Sequence, residues 1–170
     1  YLRMIFKVQD IPGELFPYIG ILKGCLGLLN TANYQYGDLF NEINLVTGGM
    51  SVVNNNYANV QDADKYRLTI EVKTKVLYEN VEKAIALIEE VLMTSDFTDA
   101  KRLQEIIAET RSRTQSQMMS AGHSVAASRV ASYGSVSGAI GELIYGVPFY
   151  RLLCELDEHF EEKKNTLIEK

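Results

Sequence analysis

One stretch, Lys65–Val76, reading KYRLTIEVKTKV, constrains the fold more than any other. Tyr66, Leu68, Ile70, Val72 and Val76 alternate with Arg67, Thr69, Glu71, Lys73 and Lys75. Successive side chains of an extended chain point to opposite faces, so this strand has one apolar side and one wet side. The apolar side demands cover and the charged side refuses it. That combination predicts an antiparallel sheet with helices on one face only.

The rest of the chain supplies the partners. YLRMIFKV alternates in the same way, with Leu2, Met4, Phe6 and Val8 on one face and Arg3 and Lys7 on the other. Asp10 offers an N-cap and Pro12 suits a first helical turn, with Leu15, Ile19, Leu22, Leu26 and Leu29 as the apolar stripe. A second helix is predicted in YGDLFNEINLVT, with Leu39, Ile43 and Val46 on one side, stopped by Gly48 and Gly49. A strand near Met50–Val53 should follow and turn at Asn54, Asn55 and Asn56. From Asn80 the spacing is helical. Val81, Ala84, Ile85, Ile88, Val91 and Leu92 mark one helix, and Leu103, Ile106 and Ile107 open the next after a Thr98 cap.

Residues 120–146 shift toward Ala, Gly and Ser, which suits close helix packing or an interface. From about 148 to 170 an amphipathic, increasingly charged helix is predicted. The reading is a single α+β domain over 1–170: an antiparallel sheet covered on one face by helices.

Composition excludes some functions. With 17 Lys and Arg against 22 Asp and Glu, a net charge of −5, there is no basic excess for a nucleic-acid backbone. No apolar run approaches the ~18 residues of a membrane span, since YIGILKGCLGLL is short and carries Lys23. Cys25 and Cys154 lie in apolar helical patterns and read as buried thiols of a reducing compartment. The chain opens at Tyr1 with neither an initiator methionine nor a basic leader. We therefore expect an excerpt of a longer protein, placed in the cytoplasm, or in an organelle matrix if the source is eukaryotic.

Candidate chemistry is sparse. In SAGHSVAASR, His123 is flanked by Ser120 and Ser124 and followed by Arg129. A nucleophile–base pair needs hydrogen-bond reach and a third group to orient the base, which adjacency does not supply. Capping or hydrogen bonding is the expected role of His123. GSVSG misses the nucleophile elbow because its central residue is Val136. HFEEK offers His159 and Glu162 in the spacing of an H-x-x-E-H zinc motif, but Lys163 occupies the second ligand position. Glu89–Glu90 and Glu161–Glu162 are expected on solvated helix faces. These residues predict neither a catalytic nor a metal site in this chain.

Two long stretches carry a resemblance. IPGELFPYIGILKGCLGLLNTANYQYGDLFNEINLVTGGMS, followed by SAGHSVAASRVASYGS and YGVPFYRLL, resembles the pitrilysin/insulinase-type zinc metallopeptidases, and their presequence-protease subfamily most of all. The resemblance implies four related α+β domains in two bowl-shaped halves that close around a chamber. This chain is similar to the third domain, which opens the second half. By the same resemblance the zinc and its motif belong to the first domain, and further catalytic contacts to the fourth, so neither maps onto residues here.

The expected function is a non-catalytic domain of a zinc-dependent oligopeptidase, supplying chamber wall and interdomain contacts around unstructured peptides. Zinc would be bound outside this chain, and the partners would be the other domains and the peptide substrates. His123, Ser124 and Arg129 are the candidate substrate or interdomain contacts. An isolated domain of this kind should expose apolar surface and self-associate. One alternative is a stand-alone interaction or scaffold module. Another is a hydrolase pairing His123 with a serine, which predicts an orienting carboxylate beside His123.

Overall fold

The structure is a computed structural model and describes residues 1–8 and 11–169, so the Asp10 cap lies outside the described residues. Three strands, β1 (Leu2–Lys7), β2 (Thr47–Ala58) and β3 (Tyr66–Val76), form an antiparallel sheet in the order β1-β3-β2. Eight α-helices among the described residues accompany it: α1 (Phe16–Cys25), α2 (Tyr36–Val46), α3 (Val81–Met93), α4 (Ala100–Ser120), α5 (Gly122–Ala131), α6 (Val136–Tyr145), α7 (Val147–Glu158) and α8 (Phe160–Glu169). The predicted α+β class, with an antiparallel sheet, is the class observed.

The alternating strand lies at the centre of the sheet. Met4 and Val52 flank Val72, and Phe6 and Asn54 flank Ile70, on the helix-covered face. There Leu68 packs with Phe16 and Ile19 of α1 and Ile140 and Ile144 of α6. A second cluster joins Leu39, Ile43 and Val46 of α2 to Ala84, Leu87 and Val91 of α3. The third lies one layer further from the sheet, where Ile21 and Cys25 of α1 meet Leu103, Ile106 and Ile107 of α4 and Leu153 of α7. Burial pushes the Cys25 thiol up to about 12, so it stays protonated as a small apolar group. Cys154 is only half-buried, which corrects the expectation of two buried thiols.

Several local expectations change for identifiable reasons. The first helix begins after a 3-10 turn at Gly13–Leu15 and ends at Cys25, so Leu26 and Leu29 fall outside it. Its buried positions include Ile19, Ile21 and Cys25 rather than a single stripe, because α1 lies between the sheet and the outer helices. Thr47, not Gly48, ends α2, its hydroxyl donating to the Ile43 carbonyl at 2.7 Å. The two glycines lie in β2 at a bulge between Thr47 and Met50, where Gly49 has φ 101°.

The asparagines do not turn. Asn54, Asn55 and Asn56 continue β2 opposite Ile70, Thr69 and Leu68. Asn54 and Asn56 face the helices, where their side-chain amides donate to the carbonyls of Ile19 and Ser137. They tether α1 and α6 to the sheet, a tertiary use that overrides turn propensity. Similarly, α4 is capped by Asp99, which accepts from Arg102 N at 3.0 Å, while Thr98 bonds Asp96. In α3, Leu87 is buried and Ile85 is exposed. Glu90 is not simply solvated: it accepts from Asn33 N and Asn33 Nδ2, both at 2.8 Å. Hydrogen bonds from Thr31 and Asn33 hold its carboxyl down at about 2. The expected single C-terminal helix is two, broken at His159.

Candidate functional site

The second face of the sheet is open. By the strand register, Arg3, Ile5 and Lys7 of β1, Ser51, Val53, Asn55 and Tyr57 of β2, and Arg67, Thr69, Glu71, Lys73 and Lys75 of β3 share it. Ile5 and Tyr57 are about half exposed, at 55% and 46%, whereas Glu71 at the centre has no accessible surface of its own.

Glu71 organises one end of this face. Arg3 and Lys73 are directly opposed across β1 and β3, a like-charge pairing that by itself is destabilising. Glu71 Oε2 accepts from Arg3 Nε at 2.8 Å and lies 3.3 Å from Lys73 Nζ. Its Oε1 accepts from the hydroxyls of Tyr57 and Thr69, each at 3.0 Å. Burial pushes the Glu71 carboxyl up, but hydrogen bonds from Asn55, Arg3, Thr69 and Tyr57 outweigh it and hold the group at about 2. The carboxylate is thus a fixed anion beneath a lid of donors, neutralised by the cations around it. Beside it a hollow of about 880 Å³ opens, lined by Ile5, Tyr57, Arg67 and Thr69 and bordered by Asp64 and Lys65 of the β2–β3 connection.

The low value gives a pH prediction. A carboxyl held at about 2 against an ordinary 4.5 stabilises the fold fully above 4.5 and loses that contribution as pH falls toward 2. Glu71→Gln is therefore expected to be less stable than the parent chain at neutral pH, with the difference closing between about pH 4.5 and pH 2. Urea midpoints measured across that range check it. A constant difference would mean that the charge of Glu71 contributes nothing.

The residues singled out from sequence lie elsewhere, all on α5, which buries none of its side chains. Ser124 borders a groove of about 410 Å³ between α4, α5 and α6, with Ser128, Gly138, Gly141 and Tyr145. Arg129 pairs with the buried Glu142 at 3.1 Å and lies 5.8 Å from the Tyr133 ring centre. Glu142 also accepts from Val147 N at 3.2 Å, so the pair ties α5 to the α6–α7 junction. His123 is exposed, and among the described residues no hydrogen bond or ion pair reaches its ring. It does not cap α5: the α4–α5 break is the single residue Ala121, with no side-chain cap. The orienting carboxylate that a hydrolase would need beside His123 is not found among the described residues.

His159 follows α7, with Nδ1 3.9 Å from Glu162 Oε2, while Lys163 is ion-paired with Glu155. Among the described residues no three His, Cys, Asp or Glu groups converge where a metal ion could be held. His159 and Glu162 therefore lack, among the described residues, the further ligands that a zinc site needs.

The family described as peptidase M16-C associated matches residues 1–156, nearly the whole chain. The chain belongs to that family. This peptidase-associated domain is 35% identical over 167 residues to Protein HypA of Clostridium perfringens, covering 98% of this chain and 17% of that protein. It is 29% identical to the mitochondrial presequence protease of Schizosaccharomyces pombe, covering 100% of this chain and 17% of the protease. Against the mitochondrial presequence protease of Yarrowia lipolytica it is 28% identical, covering 96% and 16%. The chain thus spans about one-sixth of the length of the curated relatives it matches.

A crystal structure of a conserved protein from Enterococcus faecalis V583 shares the fold of the peptidase-associated domain. Its TM-score is 0.50 at 11% identity, over 91% of this chain and 39% of that one. The resemblance read from the sequence is therefore confirmed at the level of family and fold. The Glu71 cluster was missed as a site. Its signal was legible, because the wet face of Lys65–Val76 carries one acid among the cations Arg67, Lys73 and Lys75.

Proposed function

We propose that this domain is a non-catalytic wall of a zinc-dependent metallopeptidase that degrades unstructured oligopeptides in a two-halved chamber. The observation that carries the reading is the one-sided sheet: helices cover one face, and the polar, hollowed face is left open. A wall of this kind limits substrates by size and flexibility and leaves bond cleavage to residues elsewhere in the polypeptide.

Interdomain contact fits the opposite side of the molecule. On and beside α5, Met119, Val130 and Tyr133 are largely exposed although apolar, and an isolated domain would self-associate through such surface. The partners are then the other domains of the same polypeptide and extended peptides, with zinc held outside this chain. The names of the mitochondrial relatives favour an organelle matrix, or the cytoplasm in a bacterium. Among the described residues no helix is long and apolar enough to cross a membrane.

The test combines three readouts on the purified chain: zinc content, cleavage of a quenched unstructured peptide with and without added zinc, and photo-crosslinking of that peptide. Crosslinkers replace Ser51 on the open face and Lys101 on α4. No near-equimolar zinc, no cleavage and capture mainly at position 51 are expected. Chelator-sensitive cleavage, or equal capture at both positions, would overturn the reading.

A further inference from the structure

The charge of the open sheet face runs against that of the chain. Its strands carry five of the chain's 17 Lys and Arg but one of its 22 Asp and Glu. At one end Glu71 neutralises Arg3 and Lys73. At the other end nothing comparable is present among the described residues. Lys7 is opposite Thr69, which makes Arg67 and the already paired Glu71 its two diagonal neighbours, each roughly 7–8 Å away by strand geometry. Neither Lys7 nor Arg67 enters an ion pair among the described residues. Glu71 is already shared by Arg3 and Lys73, so Lys7 and Arg67 leave this end with an excess of positive charge, and a visiting anion relieves their repulsion.

The surroundings suit an extended peptide. The hollow beside Arg67 has the apolar Ile5, the Tyr57 ring and the Thr69 position along its floor. It is bordered by the β2–β3 connection, where Lys65 is already paired with Asp62 at 3.1 Å. Asp64 on that connection is the one carboxylate besides Glu71 lining the hollow among the described residues. We infer that the Lys7–Arg67 end of the open sheet face docks extended peptide segments bearing carboxylate side chains. This rests on the reading of the same face as the peptide-facing wall, and adds the charge class of the segment held there. Net charge alone would predict the reverse, since a chain of −5 repels acidic peptides.

Fluorescence anisotropy on the purified chain tests it, using labelled glycine–serine peptides that carry several Glu, Gln or Lys residues at matched positions. The Glu peptide is expected to bind about tenfold more tightly than the Gln peptide at low ionic strength, with the difference fading as salt shortens the screening length. Lys7→Gln with Arg67→Gln should abolish that preference, and Asp64→Asn should increase it. Lys101→Glu on α4 should leave it unchanged, which separates a local site from net charge. Peptide binding independent of charge would overturn this inference while leaving the wall reading intact. Absence of all peptide binding would overturn it too, and the crosslinking result then judges the wall separately. Equal loss with Lys101→Glu, or displacement of the Glu peptide by inorganic phosphate at concentrations where chloride has no effect, would also overturn it.

Discussion

Leu153→Ala is expected to cost about 2–5 kcal/mol, enough to take a large share of the stability of a domain this size. Leu153 is fully buried at the centre of α7, in the cluster where α1, α4 and α7 meet. Truncation removes the transfer energy of the side chain and leaves a cavity. Backbone from three helices cannot close that cavity cheaply. Chemical denaturation should show a lowered midpoint with an unchanged slope, the mark of lost stability rather than a changed unfolded state. The matched comparison is Ile85→Ala, which helical spacing ranks as a core position but which is 40% exposed on α3. It should cost well under about 1 kcal/mol. Similar losses at both positions would mean that the outer helical layer is not the principal core.

Gly20→Ala should be the next most damaging change, by about 1–3 kcal/mol, even though alanine is the better helix former. A β-carbon on Gly20 would lie 2.7 Å from the Ile144 carbonyl oxygen and 2.7 Å from Phe149 Cε2. The phenylalanine ring has some freedom, but the carbonyl belongs to a buried turn of α6 and moves only with its helix. Gly24→Ala, one turn further along α1, meets Thr110 Oγ1 at 3.7 Å, an ordinary contact. There the helix propensity of alanine should prevail, leaving stability unchanged or raised by up to about 1 kcal/mol. Thermal melts of the two variants beside the parent chain decide it. Equal behaviour would show that α1 and α6 are further apart than the structure places them.

The separation between α1 and α6 also bears on the open face. Asn54 holds α1 through the Ile19 carbonyl, and Tyr145 of α6 donates to the Asn54 carbonyl at 2.8 Å. Both helices are thereby fixed to the covered side of β2, away from the open face. A shift of α6 would be transmitted to the strand that presents Tyr57.

The residue pattern was sufficient wherever one period repeated without interruption. The alternation through Arg67, Thr69, Glu71, Lys73 and Lys75 specified a strand, its two faces and the side the helices must take. A one-residue change of register would bury the four charged side chains of that row among helices. Leu39, Ile43 and Val46 specified the inner side of α2 for the same reason, at the helical period. The motif order also identified the family. Candidate site residues were less legible: His123 stood out by rarity, and rarity has no physical connection to the exposed position it occupies on α5.

Other features depended on contacts between segments distant in the chain, which no local pattern encodes. Asn54 and Asn56 have the composition of a turn, and become strand residues only because Ile19 and Ser137 present carbonyls to them. Gly20 and Gly24 are equivalent within GILKG, and differ only because Ile144 and Phe149 pack against one of them. Glu71 was one charge in a row until Arg3, 68 residues away in sequence, closed over it. Local periodicity determined which faces are apolar, because solvent acts on every residue alike. Which polar groups became tethers, and which glycine became a contact, was decided by the partners that folding brought within a few ångströms.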